Sequence, residues 1–250
     1  MKIAIITAMP EEFRAVTVAL GGDVAATRLG ILRAGRFTDA GHEYLLVESG
    51  VGLDNAAMAA ELIVGDGRPD LLITTGFCGG IAPELRAGDI VVAHGIVIAR
   101  EGYFDEIPAP FSGIGRTFVA GEAAAGKRVG GGTFVTTATI TSKAQLGRML
   151  PEQYPCPVVE MESGSIALVA AAHDIPLLAI RAVSDISTEE LDFSLDEFCD
   201  AEMRRILIPR VLLTVLRKPY IIPQLIRLAF SSRTAEQSLA AVLSRLFPAL

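Results

Sequence analysis

Short, continuously apolar runs rich in β-branched residues recur along this chain and constrain its fold more than any other feature. They are Lys2–Ala8 (KIAIITA), Asp70–Thr75 (DLLITT) and Pro176–Val183 (PLLAIRAV). Such runs are typical of strands that are buried on both faces of a sheet. Alanine-rich segments over Asn55–Val64 and Ser163–Ala172 lie between them and predict helices. The alternation predicts an α/β fold of three layers, with a mostly parallel central sheet and helices on both faces.

Weaker patterns complete this outline. Four more strands are predicted, at Glu43–Glu48, Asp89–Ala93, Thr133–Thr137 and Val158–Val159. The small residues Gly76–Gly80 predict a glycine-rich turn after the strand at 70–75. Residues 101–132 hold several glycines and two prolines. They predict loops and short elements that form a lid or a subunit contact.

The chain is predicted to form one catalytic domain over residues 1–200 and a C-terminal helical extension over 201–250. Ala201–Leu216 predicts a helix interrupted at Pro209, and Tyr220–Phe230 and Thr234–Phe247 predict two further amphipathic helices. No charge-free run reaches the roughly 20 residues that span a bilayer. Basic residues between leucines and isoleucines leave two alternatives. The tail packs on the domain or at an oligomer interface, which we favour, or it lies on a membrane surface.

Composition restricts the partners and the compartment. The net charge of −7 argues against nucleic acid, which clustered Lys and Arg would hold. Three widely spaced cysteines, Cys78, Cys156 and Cys199, form no C-x-x-C pair and suit free thiols in a reducing cytoplasm. The apolar run at the N-terminus is too short for a signal peptide. The three histidines lack the spacing of metal ligands, and no dinucleotide or P-loop motif is present. We therefore expect a cytoplasmic protein with a small-molecule ligand and no metal or organic cofactor.

Acidic residues stand at the predicted ends of three strands. They are Glu12, the pair Glu160 and Glu162, and Asp185. Each alone is equally well explained as a solvated loop acid, or, for Asp185, as a helix cap. In open α/β sheets, however, ligands bind beyond the carboxyl ends of the strands. We therefore expect these acids to line one cleft.

The residue types suggest how such a cleft would act. Alternation in an extended segment places the carboxylates of Glu160 and Glu162 on one side and Met161 on the other. A carboxylate accepts hydrogen bonds from two neighbouring sugar hydroxyls, and a methionine packs on a sugar or base, or fills the core. A buried carboxyl at Asp185 would have a raised pKa and act as an acid towards a purine nitrogen, oriented by Ser184.

The chain resembles the nucleoside phosphorylase and nucleosidase superfamily, and above all the 5′-methylthioadenosine/S-adenosylhomocysteine nucleosidases within it. The matching pieces are KIAIITAMPEE, ESGVGLDNAA, PDLLITTGFCGGIAPELRAGDIVVA, VVEMES and IRAVSD, in family order over about residues 1–190. The resemblance implies cofactor-free hydrolysis of the N-glycosidic bond of a purine nucleoside such as 5′-methylthioadenosine. It also implies a homodimer in which each subunit helps to close the other's pocket.

The resemblance also implies a role for each matching residue. Asp185 would deliver a proton to N7 of the purine, supported by Ser184. Glu162 would bind the ribose hydroxyls, and Met161 would lie under the ribose. Glu12 would position and activate the attacking water.

Three positions depart from the family pattern. Ile140 would replace an aromatic residue that stacks on adenine, Phe77 replaces a serine and narrows the site, and Ala138 replaces an aspartate. The changes at Phe77 and Ala138 suggest a different purine nucleoside, such as one with a bulkier 5′ group. Gly76 and Glu160 complete the predicted substrate-binding set.

The identity of the nucleophile, water or phosphate, distinguishes a nucleosidase from a phosphorylase. Related phosphorylases bring arginines to a phosphate near the end of the first strand, where this chain has Glu12, which would repel phosphate. Arg14, two residues on, is expected to point elsewhere. Water is therefore favoured over phosphate. The alternatives are a phosphorylase of the same fold and a non-catalytic nucleoside-binding or membrane-associated protein that works through its tail.

Overall fold

The computed structural model describes residues 1–22, 24–101, 103–139, 141–187, 214, 217–218 and 221–250, without the side chains of 222–225 and 228. The strands are β1 (Lys2–Thr7), β2 (Ala25–Leu29), β3 (Leu32–Asp39), β4 (His42–Glu48), β5 (Leu71–Gly80), β6 (Ile90–Arg100), β7 (Tyr103–Glu106), β8 (Val129–Thr136), β9 (Val158–Glu160) and β10 (Leu177–Asp185). The helices are α1 (Pro10–Ala19), α2 (Leu53–Gly67), α3 (Gly113–Ala124), α4 (Lys143–Met149), α5 (Ser163–Ala172) and α6 (Ile222–Leu246), and a short 3-10 helix follows at Phe247–Ala249.

These strands form one mixed sheet, so the prediction of a mostly parallel sheet is wrong. Parallel pairs join β1 to β4 and β5, β5 to β10, and β8 to β6 and β9. Antiparallel pairs join β3 to β2 and β4, β5 to β9, and β6 to β7 and β10. The physical reason is clearest at β2, β3 and β4, because only two residues connect each strand to the next. Such short links permit only hairpins, since parallel neighbours need a long crossover.

Part of the sheet closes on itself. Strand β10 pairs with both β5 and β6, so β5, β9, β8, β6 and β10 form a closed, barrel-like ring. Strands β1, β4, β3 and β2 extend from β5 as an open sheet. The carboxyl ends of β1, β5 and β10, which are mutually parallel, therefore lie at the same edge.

The residues Gly76–Gly80 continue strand β5, so the predicted turn is wrong at this position. All ten residues of β5 are buried, with β10 along one edge and β9 beside the last two glycines. The glycines make room for side chains of other elements. A Cβ atom at Gly76 would overlap the Glu12 carboxylate, and one at Gly79 would lie 3.1 Å from an Asp185 carboxylate oxygen.

Helices cover both faces of the sheet. On one face α2 packs against α5 through small and aliphatic side chains, which include Ala56, Ala59, Ala60, Ile63, Ile166, Ala167 and Ala170. On the other face α1 and α6 pack against each other and the sheet through Phe13, Val16, Leu239, Val242 and Leu243. The predicted loop region 101–132 contains β7 and α3, and its role as a lid or subunit contact stays a prediction.

The C-terminal residues from 222 form one long helix, where two separate helices were predicted. Among the described side chains of this helix, two form ion pairs with the rest of the molecule: Glu236 with Arg14 on α1, and Arg245 with Glu122 on α3, each at 2.6 Å. Within the described residues no helix combines the length and apolarity needed to cross a bilayer. The predicted helix at 201–216 and the domain boundary near residue 200 lie outside the described residues, apart from Thr214. Contact of the tail with a membrane surface stays a prediction.

Candidate active site

Glu12 is held in place by the start of helix α1. Pro10 occupies the first turn, and Glu12 at the third helical position reaches back to the chain that enters the helix. One carboxylate oxygen accepts hydrogen bonds from the backbone N–H groups of Ala8 at 2.7 Å and Met9 at 3.0 Å. The other accepts from the backbone N–H of Phe77 at 2.8 Å. This is one half of a capping box combined with a contact to β5, and it fixes a buried carboxylate at the end of β1.

Glu162 lies where two helices begin. It is the N-cap residue of α5, and its carboxylate accepts a hydrogen bond at 2.9 Å from the backbone N–H of Gly52, the N-cap residue of α2. Gly52 has φ +99°, a conformation that other residues rarely adopt. Two positive helix ends therefore face this buried acid.

Glu160 ends strand β9 and is saturated by protein donors. It accepts hydrogen bonds from the Thr136 hydroxyl, from the backbone N–H groups of Glu162 (3.1 Å) and Ser163 (2.8 Å), and from the guanidinium of Arg181 (3.0 Å). Glu160 and Glu162 both lie near the Arg181 guanidinium, at 3.0 Å and 3.8 Å from its Nη2. Strand β9 ends at Glu160, so the extended segment assumed for the predicted alternation does not reach Glu162. Glu160 accepts from four protein donors, whereas Glu162 accepts from two backbone N–H groups, those of Gly52 at 2.9 Å and Met161 at 3.3 Å.

Arg181 is a site residue that sequence reasoning missed. It lies inside β10 and is only 2% exposed. Its Nη2 donates to Glu160 and lies 3.8 Å from Glu162, and it also bonds to the hydroxyls of Thr74 and Ser163. The signal was present in the sequence, because a charged residue in a strand buried on both faces needs buried partners of opposite charge.

The pKa values of Glu12 and Glu162 are both raised. Burial raises the pKa of Glu12, while Arg181 and the three backbone N–H groups partly offset this rise. Burial and the adjacent charge of Glu160 raise the pKa of Glu162 to about 8, against the opposing effects of Arg181 and Gly52. Burial also raises the pKa of the Cys78 thiol, which lies near this cluster.

Asp185 ends β10, and a buried lysine pairs with it. The Lys143 ammonium donates to one carboxylate oxygen, and the Ser184 hydroxyl lies 2.6 Å from the other. The Ser184 hydroxyl also lies 3.2 Å from the backbone carbonyl oxygen of Cys78. Ser184 is therefore within hydrogen-bonding distance of Asp185, and its role in supporting that acid stays a prediction. Lys143 carried no sequence signal, since only the tertiary fold brings the start of α4 to the end of β10.

The other residues predicted to bind substrate are Phe77, Gly76, Met161 and Ile140, and they lie in different surroundings. The side chain of Phe77 packs in the core with α1 and α6, and its backbone N–H is what reaches Glu12. Gly76 is buried directly beneath the Glu12 carboxylate. Met161 is half-buried between the two glutamates, and Ile140 lies outside the described residues. Contacts of these four residues with a substrate stay predictions.

Arg14 points away from Glu12, as expected. Its guanidinium forms two hydrogen bonds with Glu236 on α6, at 2.6 Å and 2.7 Å. The cation that acts on both Glu12 and Glu162 is Arg181.

A cleft of about 720 Å³ is lined in part by the first turns of α2 and α5 and by the residues that follow β8. Its walls include Ser165, whose hydroxyl bonds to the carbonyl oxygens of Leu53 and Glu162. Exposed apolar side chains, Met149 and Leu168, also line it. The four predicted acids do not line this cleft.

The site thus offers three kinds of chemistry at one edge of the sheet. Glu12 is an anchored carboxylate with a raised pKa, which suits a general base. Glu162 can exchange hydrogen bonds with hydroxyl groups, and Arg181 balances the negative charge. Asp185 and Lys143 form a separate pair that can bind or protonate a heteroatom.

A mixed sheet with a closed barrel-like part, helices on both faces and acids at the strand ends is the nucleoside phosphorylase-like α/β fold. The chain belongs to the phosphorylase superfamily, whose family model matches residues 2–208.

Solved structures of this fold superpose on the full length of the chain. The 5′-methylthioadenosine/S-adenosylhomocysteine nucleosidase from Helicobacter pylori has a TM-score of 0.75 and 16% identity, with 100% of this chain and 99% of that chain covered. The corresponding nucleosidase from Neisseria meningitidis, in complex with methylthio-immucillin-A, has a TM-score of 0.73, 24% identity and the same coverage. A futalosine hydrolase mutant of Helicobacter pylori has a TM-score of 0.71 and 16% identity over 100% of both chains. At these identities the likeness shows the fold.

Proposed function

We propose that this protein is a nucleosidase that hydrolyses the N-glycosidic bond of a purine nucleoside. The observation that carries the proposal is the arrangement of Glu12 and Glu162 around the buried Arg181, with Asp185 four residues further along the same strand. It supplies a base, a sugar-binding carboxyl and an acid at one edge of the sheet.

Glu12 is the residue we assign to the attacking water. Its carboxylate cannot swing away, because three backbone N–H groups hold it. A raised pKa makes it a stronger base than a solvated glutamate, so it can take a proton from water as the water attacks C1′ of the sugar.

Glu162 is the residue we assign to the ribose hydroxyls. Glu160 is less suited to that task, since four protein donors, including the Arg181 guanidinium, bond to its carboxylate, against two backbone N–H groups at Glu162. We assign Glu160 the positioning of Arg181 and of the start of α5. Met161, between the two glutamates, is proposed to pack against the sugar.

Asp185 is the residue we assign to the base. Protonation at N7 makes a purine a better leaving group, and the bond to C1′ then breaks with positive charge developing on the sugar. The nearby carboxylate of Glu12 would stabilise that charge, while Glu162 holds the ribose through hydrogen bonds. Ser184 holds the Asp185 carboxyl in place.

The surroundings of Glu12 support water rather than phosphate as the nucleophile. A phosphate would need cations that are turned towards it. Arg14 is bonded to Glu236, and Arg181 is bonded to Glu160 and lies close to Glu162. A phosphate beside Glu12 would add negative charge to a cluster that already holds more carboxylates than cations.

The substrate we propose is a purine nucleoside with a substituent at C5′, such as 5′-methylthioadenosine or S-adenosylhomocysteine. Support comes from the nucleosidases and the futalosine hydrolase that share the fold. The small Ala138, which stands where the family has an aspartate and lines the 720 Å³ cleft, suggests a bulkier 5′ group than methylthio.

The proposal is tested by release of free base, followed by chromatography, from 5′-methylthioadenosine, S-adenosylhomocysteine and unsubstituted purine nucleosides. We expect release by the wild type and its loss, about 10² to 10⁴-fold, in Asp185→Asn. An Asp174→Asn variant is the matched control, because Asp174 lies in the loop before β10 and outside the site. Binding of nucleosides without release by the wild type would instead indicate a non-catalytic nucleoside-binding protein.

We also propose that the protein acts as a homodimer in the cytoplasm. The exposed apolar side chains of Met149 and Leu168 at the 720 Å³ cleft, with the exposed Tyr103 on the neighbouring β7, suit a subunit contact. Light scattering after gel filtration should give twice the chain mass of 26.4 kDa. A Leu168→Glu variant should run as a monomer, and a wild-type monomer would contradict the dimer.

A further inference from the structure

Lys143 is a buried cation that the assignments above do not use. It is the first residue of α4, whose N-cap Ser142 accepts a hydrogen bond from the backbone N–H of Gln145. Only 5% of Lys143 is exposed. Lysine is almost never buried to this extent without a specific partner, so its contacts indicate its task.

The partner of Lys143 is the acid of the site. Its ammonium donates to a carboxylate oxygen of Asp185 and to the backbone carbonyl oxygen of Ile186, the latter at 2.6 Å. Gly79 makes this possible, since a Cβ there would lie 3.1 Å from both the Lys143 Cδ and the Asp185 carboxylate. The fold therefore clears space for an ion pair at the end of β10.

The pairing raises a question about the proton. A carboxylate that accepts a hydrogen bond from an ammonium group is ionised and has no proton of its own to give. The leaving purine nevertheless needs one. Among the described residues, the Lys143 ammonium is the group that donates an N–H directly to Asp185. Two of its three protons have acceptors in the described part of the chain.

We propose that Lys143 supplies, through Asp185, the proton that the leaving base receives. The inference rests on the proposed nucleosidase function. An N–H bond of Lys143 breaks as an O–H bond forms on Asp185, and that O–H bond breaks as the N7–H bond of the purine forms. The electron pair of the C1′–N9 bond leaves with the base. The water oxygen bonds to C1′, and Glu12 takes a proton from that water.

The cycle then closes without another reactant. Lys143 is left as a neutral amine and Glu12 as a neutral acid. Solvent returns a proton to Lys143 and removes one from Glu12, so the net reaction consumes one water for each bond cleaved. Lys143 is in this scheme a positioning and proton-supplying residue that acts through Asp185.

The test uses two substitutions at Lys143 and one matched control. Lys143→Met removes the proton and the charge. Lys143→Arg keeps the charge and the donors, but a guanidinium does not release a proton in a protein. Lys127→Met makes the same chemical change at an exposed lysine outside the site. Circular dichroism and the binding of a C-nucleoside analogue, which cannot be cleaved, report whether each variant keeps the wild-type site.

We expect Lys143→Met to lower kcat about 10²-fold, with KM changed much less. Lys143→Arg should bind the analogue like the wild type and stay slow, and Lys127→Met should keep full activity. Adding Lys143→Met to Asp185→Asn should cost nothing further, because residues that act as one unit are not additive.

Three results would overturn the inference while leaving the nucleosidase intact: a Lys143→Met enzyme as fast as the wild type, recovery of the rate in Lys143→Arg, or additive losses in the double variant. The double variant decides the matter if Lys143→Arg fails to bind the analogue. A wild type that releases no base from any purine nucleoside would instead overturn the proposed function, and the inference with it.

Discussion

Arg181 donates a hydrogen bond of 3.0 Å to Glu160, and the side chains of both residues are at most 2% exposed. This pair stands at the centre of the acid cluster, with Glu162 3.8 Å from the same guanidinium nitrogen. The charge balance of the three buried glutamates therefore depends on one arginine within a strand whose other residues are mostly apolar.

Removal of that arginine should be strongly destabilising. Arg181→Met leaves buried carboxylates without their counter-ion, and breaking a buried pair in this way costs about 3–5 kcal/mol. Urea unfolding measures the loss. Arg36→Met is the control, because Arg36 pairs with Asp66 at the surface and should change the free energy of unfolding by no more than about 1 kcal/mol. Equal effects of the two substitutions would contradict the central role of Arg181.

A methyl group at Gly76 should disable Glu12. The added Cβ of Gly76→Ala would overlap the Glu12 carboxylate, which must then leave its three backbone donors. We expect base release to fall about 10²-fold or more and stability to drop by roughly 1–3 kcal/mol. Gly121→Ala is the matched control, since no atom lies within 4 Å of its Cβ position on helix α3. Full activity of Gly76→Ala would show that the position of Glu12 is not required.

The raised pKa of Glu162 predicts a specific dependence of stability on pH. The folded protein holds a proton on Glu162 up to a pKa of about 8, whereas the unfolded chain releases it near the ordinary value of 4.5. This contribution to stability is complete below about pH 4.5 and is lost as the pH rises to about 8. Urea midpoints between pH 5 and 8.5 should therefore fall less steeply for Glu162→Gln than for the wild type. The exposed Glu43→Gln serves as control, and a Glu162→Gln profile parallel to the wild type would refute the shift.

Helix α6 should contribute to the stability of the whole molecule. Leu243 is completely buried between this helix and the sheet, so Leu243→Ala should cost about 2–5 kcal/mol. Phe230→Ala, on the same helix but with Phe230 70% exposed, should cost far less. Urea unfolding with a single cooperative transition would test both values. A neutral Leu243→Ala would mean that α6 does not belong to the core.

The apolar pattern of the sequence correctly predicted the strands and helices in which most residues are buried. The bounds of strand β1 and helix α5 were predicted within one residue. A continuous apolar run is compatible only with a buried strand here, and an alanine-rich segment only with a helix. The hairpin strands β2 and β3 were missed, since most of their residues are exposed and show no clear apolar pattern. Two of the antiparallel pairs involve these strands, and the others, of β5 with β9 and of β6 with β7 and β10, depend on tertiary contacts that no local pattern shows.

Some residues of the candidate site could likewise be predicted from local sequence, and others could not. The acids were predicted because each follows a strand and matches a family motif. Lys143 and the role of Gly76 were not, since both depend on contacts between segments far apart in the chain. The two predicted C-terminal helices form one, because Ser231, Ser232 and Arg233 interrupt the apolar pattern without interrupting the helix.

Release of base from 5′-methylthioadenosine, with and without phosphate, tests the central claim most directly. The account predicts equal rates in both buffers, with free 5-methylthioribose as the sugar product, because Glu12 activates water and Arg14 is bound to Glu236. Release that requires phosphate and yields the sugar 1-phosphate would contradict it.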